Sequence, residues 1–157
     1  MFIYSVRASG VKVFALVLAA LAVLIGILAS GGSVLASASV LGEVDFGGIK
    51  TEEDRIAFLS GFGIEVDKDS VSTLDFVMPE NFDRIMLGYN EIQKMQGLDL
   101  SKYAKKKVTR YTYEVIGYEG YDKEVYANLL VYRNRIIGCD ISSADPEGFV
   151  HPLVKGV

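Results

Sequence analysis

One cysteine, Cys139, and one histidine, His151, stand twelve residues apart near the C-terminus, with Asp140 and Asp145 between them. A thiol and an imidazole in hydrogen-bond reach, oriented by a carboxylate, form the nucleophile–base pair of thiol hydrolases and transferases. The immediate neighbours of Cys139 point elsewhere. Ile137, Cys139 and Ile141 alternate along a strand, which puts the sulfur on a buried face where a free cysteine acts as a small hydrophobe. Asp145, Glu147 and His151 hold the donor types of a metal centre, but they lack a helical i, i+4 pair, and the Asp-Pro-Glu-Gly stretch reads as a turn. Asp67-Lys68-Asp69 starts like a calcium loop and then lacks its central glycine and closing glutamate. No phosphate loop, dinucleotide fingerprint, serine elbow or paired-histidine motif occurs. The expectation is a chain with no catalytic residue, no metal site and no cofactor.

Tyrosine is the more suggestive residue type. Eight of the nine tyrosines follow position 88, and tryptophan is absent. Tyrosine is rigid and amphipathic, so Tyr111 and Tyr113 on one strand, with Tyr126 and Tyr132 on the next, are candidates for a binding surface on an exposed sheet face. Core tyrosines whose hydroxyls reach the rim produce the same spacing. The neighbouring run Lys105-Lys106-Lys107 interleaves cations with aromatics, as single-stranded nucleic-acid platforms do. The charge balance below argues against that partner.

These residues are positioned by a short series of elements. Thr51-Glu52-Glu53-Asp54 is close to a capping box, and Ile56, Leu59 and Phe62 then recur at helical spacing until Gly61 or Gly63. Residues 64–66 and 71–78 read as two strands. Pro79 then opens a second helix whose apolar face holds Phe82, Ile85, Met86, Tyr89 and Ile92, with Gly97 as C-cap. Residues 107–117, 125–132 and 136–142 alternate as strands joined by connections too short for parallel crossovers. The expected fold is α+β: an N-terminal transmembrane helix, then a small domain with two helices packed on one face of a mainly antiparallel five-stranded sheet.

The membrane segment follows from the distribution of apolar residues. Half the 157 residues are apolar, 23% are charged, and mean hydropathy is +0.29, which excludes a disordered chain. Much of that hydrophobicity lies in residues 13–29, where eleven of seventeen positions are Val, Leu, Ile or Phe and five are Ala. At mid-bilayer the eleven large residues favour insertion by about 5 kcal/mol in total. A run over residues 11–29 reaches close to the ~30 Å hydrocarbon core. A cleaved signal peptide is the rival reading, since Ala36-Ser37-Ala38 provides a cleavage triplet.

Arg7 and Lys12 precede the run, and every acidic residue lies after position 42. Residues 1–10 are therefore expected in the cytoplasm, residues 30–48 as a Gly/Ser-rich tether, and residues 49–157 as an extracytoplasmic domain. Setting those two cations aside leaves fourteen basic against twenty acidic residues, a balance of about −6. That charge repels phosphate backbones and excludes nucleic acid as the expected partner.

Several blocks carry a family resemblance. Lys50-Thr51-Glu52-Glu53-Asp54-Arg55-Ile56-Ala57-Phe58-Leu59, Phe62-Gly63-Ile64-Glu65-Val66 and Pro79-Glu80-Asn81-Phe82-Asp83 resemble the DUF4830 family. So do Tyr89-Asn90-Glu91-Ile92-Gln93, Gly97-Leu98-Asp99-Leu100-Ser101-Lys102-Tyr103, Arg110-Tyr111-Thr112-Tyr113-Glu114-Val115 and Ala127-Asn128-Leu129-Leu130-Val131-Tyr132. The resemblance covers most of residues 50–152 and implies a membrane-anchored protein of Firmicutes type. The family's function is unknown, so no catalytic or binding residue carries over. The leading expectation is a non-catalytic module that binds a protein or ligand at the cell envelope. The alternative is a thiol-dependent hydrolase or transferase using Cys139 and His151.

Overall fold

Residues 44–145 and 147–153 are described by a computed structural model. The expected cytoplasmic stretch, the transmembrane run 11–29 and most of the 30–48 tether lie outside the described residues. Among the described residues no helix is long and apolar enough to cross a membrane.

Helix α1 spans Glu52–Gly61 and starts on the expected capping box. The Thr51 hydroxyl accepts from the Asp54 amide at 3.2 Å, and the Asp54 carboxylate accepts from the Thr51 and Lys50 amides at 2.8 Å each. Free amides at a helix start need such acceptors, and the three acids of the first turn also suit its positive end. Gly63, at φ +73°, turns the chain out of the helix into the sheet, a conformation that a side chain would oppose.

Strand β1 is Val66–Val77, one element where the sequence reads as two. It pairs antiparallel with β2 (Lys107–Val115), but the register slips between Asp67 and Ser72. Residues 68–71 stand opposite Tyr113 alone. The Asp67 side chain accepts from the Asp69 amide, and the Ser70 hydroxyl donates to the Asp67 carbonyl while accepting from the Glu114 amide. The polar Asp-Lys-Asp-Ser insert is therefore folded as a bulge inside the strand, with Ser70 replacing a ladder contact.

Helix α2, Arg84–Lys94, begins five residues after Pro79. Asp83 is the N-cap, accepting from the Met86 amide at 2.8 Å, and a capping carboxylate outranks proline's mere tolerance of a first turn. A short 3-10 helix, Leu100–Tyr103, capped by Asp99, leads into β2. Strands β3 (Val125–Tyr132) and β4 (Arg135–Ser143) follow, joined at Arg133 and Asn134, both in left-handed backbone. That is the twist a two-residue hairpin requires. A fifth strand, β5 (Val150–Pro152), lies beyond the expected last one and brings His151 opposite Ile141. The strand order is β1-β2-β3-β4-β5, every neighbour antiparallel.

The two helices cover opposite faces of this sheet, not one. Leu59 of α1 packs with Tyr113, Ala127, Leu129, Cys139 and Ile141, which the register places on one face. Met86 and Tyr89 of α2 pack with Val108, Leu130 and Ile137 on the other. After Arg135, every residue of β4 is buried. The second face escapes a reading by alternation because Thr112, Asn128, Asp140 and Ser142, all buried, line it. Polar residues at alternate positions look like a solvent face in sequence.

Packing also begins earlier than the tether composition implies. Phe46 and Ile49 are buried in the α1-side core, and Val44 packs against it. The Ile136 amide donates to the Phe46 carbonyl at 2.8 Å, and the Ile49 amide to the Asn134 carbonyl at 2.9 Å. The free edge of β4 is thus closed by residues 44–49, since an apolar side chain two or three positions apart outweighs the neighbouring glycines.

Gly138 marks where α2 and the 3-10 helix approach β4 most closely. A Cβ there would lie 2.9 Å from Leu130 Cδ1, 3.1 Å from Leu100 Cδ2 and 3.3 Å from Gln93 Oε1. Gly138→Ala is expected to destabilise the domain by about 1–3 kcal/mol through overpacking, measured by urea unfolding. An unchanged midpoint would show that these contacts yield freely.

Candidate functional site

Arg55 lies one helical turn before Leu59 on α1, so it faces the sheet. Its Nε donates to the Tyr113 hydroxyl at 2.8 Å, and its guanidinium carbon sits 3.8 Å above the Tyr111 ring. Both tyrosines belong to β2 and share a face, because strand side chains repeat every two residues. Tyr113 is fully buried; Tyr111 and Arg55 are half-buried. Burial raises the Tyr113 hydroxyl above its usual range, and Arg55 partly offsets this. The outcome is a guanidinium fixed by one hydrogen bond and one cation–π contact. Among the described residues its two terminal amino groups make no hydrogen bond and Arg55 joins no ion pair. Of the acids near it, Asp54 caps α1, and Glu52 keeps one buried oxygen without a hydrogen bond.

The other two expected tyrosines are elsewhere. Tyr126 lies on the opposite face, its hydroxyl donating to Glu124 at 2.6 Å, and burial together with that carboxylate pushes it up to about 12. Tyr132 meets Tyr103 edge-on at 5.6 Å, with Arg133 5.2 Å from its ring. The structure brings Tyr111 and Tyr113 together and separates them from Tyr126 and Tyr132. Sequence reasoning missed Arg55, although a charged residue four positions before the buried Leu59 was a usable signal.

Cys139 and His151 are each occupied by other partners. The Cys139 thiol is buried beside Gln96, 3.4 Å from its Oε1, and burial pushes it up, with Asp140 adding to the effect. A thiol so placed is poorly ionised and weakly nucleophilic. His151 Nδ1 donates to the Pro152 carbonyl at 2.8 Å, and its Nε2 lies in hydrogen-bond contact with the Tyr118 hydroxyl at 2.6 Å. The ring stacks on Phe149 at 5.1 Å. Asp145 pairs with Lys123 and accepts from the Glu147 amide, so it turns the chain and does not face His151 as a ligand. Among the described residues no three His, Cys, Asp or Glu side chains gather to hold a metal.

Beneath α2 a polar row crosses the sheet. Thr112, Asn128 and Asp140 are direct cross-strand neighbours on β2, β3 and β4. Thr112 donates to Asn128 Oδ1 at 2.8 Å, and Asn128 Nδ2 donates to Asp140 and to Ser142. Tyr89 of α2 donates to the other Asp140 oxygen. Burial raises the Asp140 carboxyl, while Tyr89, Asn128 and the nearby charges of Arg110 and His151 pull it back. Gln93 accepts from the Cys139 amide at 2.8 Å, and Gln96 donates to the Cys139 carbonyl at 2.8 Å and accepts from the Leu153 amide at 2.9 Å. Side-chain amides thereby continue the β4 ladder where β5 stops.

The family model described as a domain of unknown function (DUF4830) matches residues 58–141, which is 84 of the 157 residues. The chain belongs to the DUF4830 family. No curated protein and no solved structure matches it. The matched stretch of the DUF4830 domain contains Tyr111, Tyr113, Thr112, Asn128 and Asp140, and it begins three residues after Arg55.

Asp140 gives the DUF4830 domain a signed pH dependence. The folded chain holds its proton to higher pH than an unfolded carboxyl near 3.8, so its contribution is full below 3.8 and declines as pH rises through the raised value. Asp99 acts in the opposite window. Hydrogen bonds from Asn90 and Ser101 hold it down to about 2, so its stabilisation is present above 3.8 and lost as pH falls towards 2. Tyr89→Phe removes a donor to Asp140. It should cost about 1–3 kcal/mol and carry the decline to higher pH, read from urea midpoints across pH 3–8. A profile identical to the parent's would show that the Tyr89–Asp140 contact has no energetic weight.

Proposed function

We propose that this DUF4830 protein is a single-pass membrane protein of the cell envelope, with its N-terminus in the cytoplasm and residues 44–153 in an extracytoplasmic domain. The domain serves as a non-catalytic module that binds a protein or ligand. The apolar run 13–29, flanked on its N-terminal side by Arg7 and Lys12, supports the anchor and its orientation. The observation that carries the binding role is the contrast between two kinds of polar group. Cys139, His151 and Asp140 are turned inward and satisfied by packing partners, as structural residues are. Arg55 is instead seated on a tyrosine pair with hydrogen-bonding capacity to spare. Prealigned guanidinium groups on aromatic surfaces are common anchors of recognition. Nucleic acid is a poor partner for a domain of net negative charge.

Protease added to intact protoplasts expressing the full chain tests the topology. The domain should be digested while the N-terminus survives; complete protection would place the domain in the cytoplasm and end the reading. Cross-linking in intact cells should recover a specific partner, and Cys139→Ala should recover it equally well. Loss of function in Cys139→Ala, together with rapid labelling of the folded protein by a membrane-impermeant maleimide, would favour the thiol enzyme.

A further inference from the structure

We infer that Arg55, seated on Tyr111 and Tyr113, is the anchor for a glutamate side chain of a partner protein that adds as a strand along the edge of β1. The inference rests on the binding-module reading and names the chemistry of the bound segment. Two independent observations meet here. The first is the guanidinium itself. Its Nε is committed inward to Tyr113 and its face to Tyr111, so what remains for a ligand is the planar edge formed by the two terminal amino groups. That edge matches a carboxylate with two parallel hydrogen bonds.

The second is the sheet. Its far edge is closed: β5 pairs with β4, residues 46 and 49 cover the Arg135 end, and Gln93 and Gln96 satisfy Cys139. β1 is the opposite edge, and among the described residues no strand pairs with its outer side. From Ser72 to Val77 it pairs in regular register with β2, and Thr73, exposed, stands directly beside Tyr111. The bulge at residues 68–71 limits docking to that regular stretch.

These features together select a peptide. An open strand edge offers backbone hydrogen bonds to an extended chain and nothing comparable to a lipid headgroup or free phosphate. A strand added outside β1 lies about 10 Å from β2, two strand spacings away. A long acidic side chain suits that gap better than a short one, which makes glutamate the natural probe. Asp75, the acid on the edge itself, is held by Lys107 at 2.9 Å and by the Thr109 hydroxyl at 2.7 Å, so its carboxylate is turned to β2 rather than to an incoming strand.

Full-length protein in zwitterionic nanodiscs, titrated with the peptide acetyl-Thr-Val-Glu-Val-Thr-amide and with its Gln analogue, tests the assignment. The Glu peptide should bind saturably and about tenfold or more tighter than the Gln peptide, a difference that Arg55→Gln abolishes. Arg55→Lys keeps the charge without the fork and should retain only part of it. Tyr111→Leu should weaken the Glu peptide selectively. Equal affinity for the two peptides, binding that survives Arg55→Gln undiminished, or saturation by inorganic phosphate alone overturns the proposal. A partner still recovered by cross-linking in that case leaves the binding-module reading standing without this site.

Discussion

A carboxyl removed from water must find hydrogen-bond partners, and Asp140 finds donors on two separate elements and a compensating charge on a third. Tyr89 reaches it from α2, Asn128 from β3, and the charge of Arg110 stands near it on β2. Placing a carboxyl between a helix and a sheet costs several kcal/mol if those partners are missing, so the network fixes the α2 face as closely as apolar packing does. Asn128 makes the arrangement continuous. It accepts from Thr112 and donates to both Asp140 and Ser142, which ties three strands together through one amide.

The α1 face is held by different physics. Leu59, Leu129 and Ile141 exclude water by apolar packing alone, and Phe46 and Ile49 extend that core past the start of the helix. Arg55 is the exception on this side. Its guanidinium is retained by tyrosine rather than by an acid, even though Glu52 stands one turn away on the same helix. An ion pair would have consumed the amino groups that the tyrosine seat leaves available. The two faces therefore differ: the α2 side is held by satisfied polar contacts, and the α1 side leaves the Arg55 amino groups without a hydrogen bond among the described residues.

The sheet's edges show the same division. Three devices close the β4 side: the 44–49 segment, Gln93 and Gln96 at the end of α2, and the brief β5. The β1 side is left with a bulge near its start and a regular run after it. A bulged, charged edge strand resists indiscriminate pairing, and on β1 the regular stretch from Ser72 to Val77 is the part whose outer side no strand covers among the described residues.

Local order determined what the sequence made legible. The capping box at Thr51, the apolar spacing of α2, the alternation of β2 and β3, the burial of Cys139 and the antiparallel sheet all depend on residues within one or two turns or a single strand. Position 139 read as core because its neighbours two away are isoleucines. The Asp-Lys-Asp insert instead read as a break between strands, because a bulge closed by Ser70 onto Glu114 needs a contact across forty-four residues. Tertiary structure alone decided that the helices take opposite faces, since Thr112, Asn128, Asp140 and Ser142 look solvated until α2 covers them. It also decided that Tyr111 and Tyr113 part company with Tyr126 and Tyr132, and that Arg55 sits above the first pair. Composition and periodicity specify which side chains share a face, but which face meets which helix depends on the long-range path of the chain.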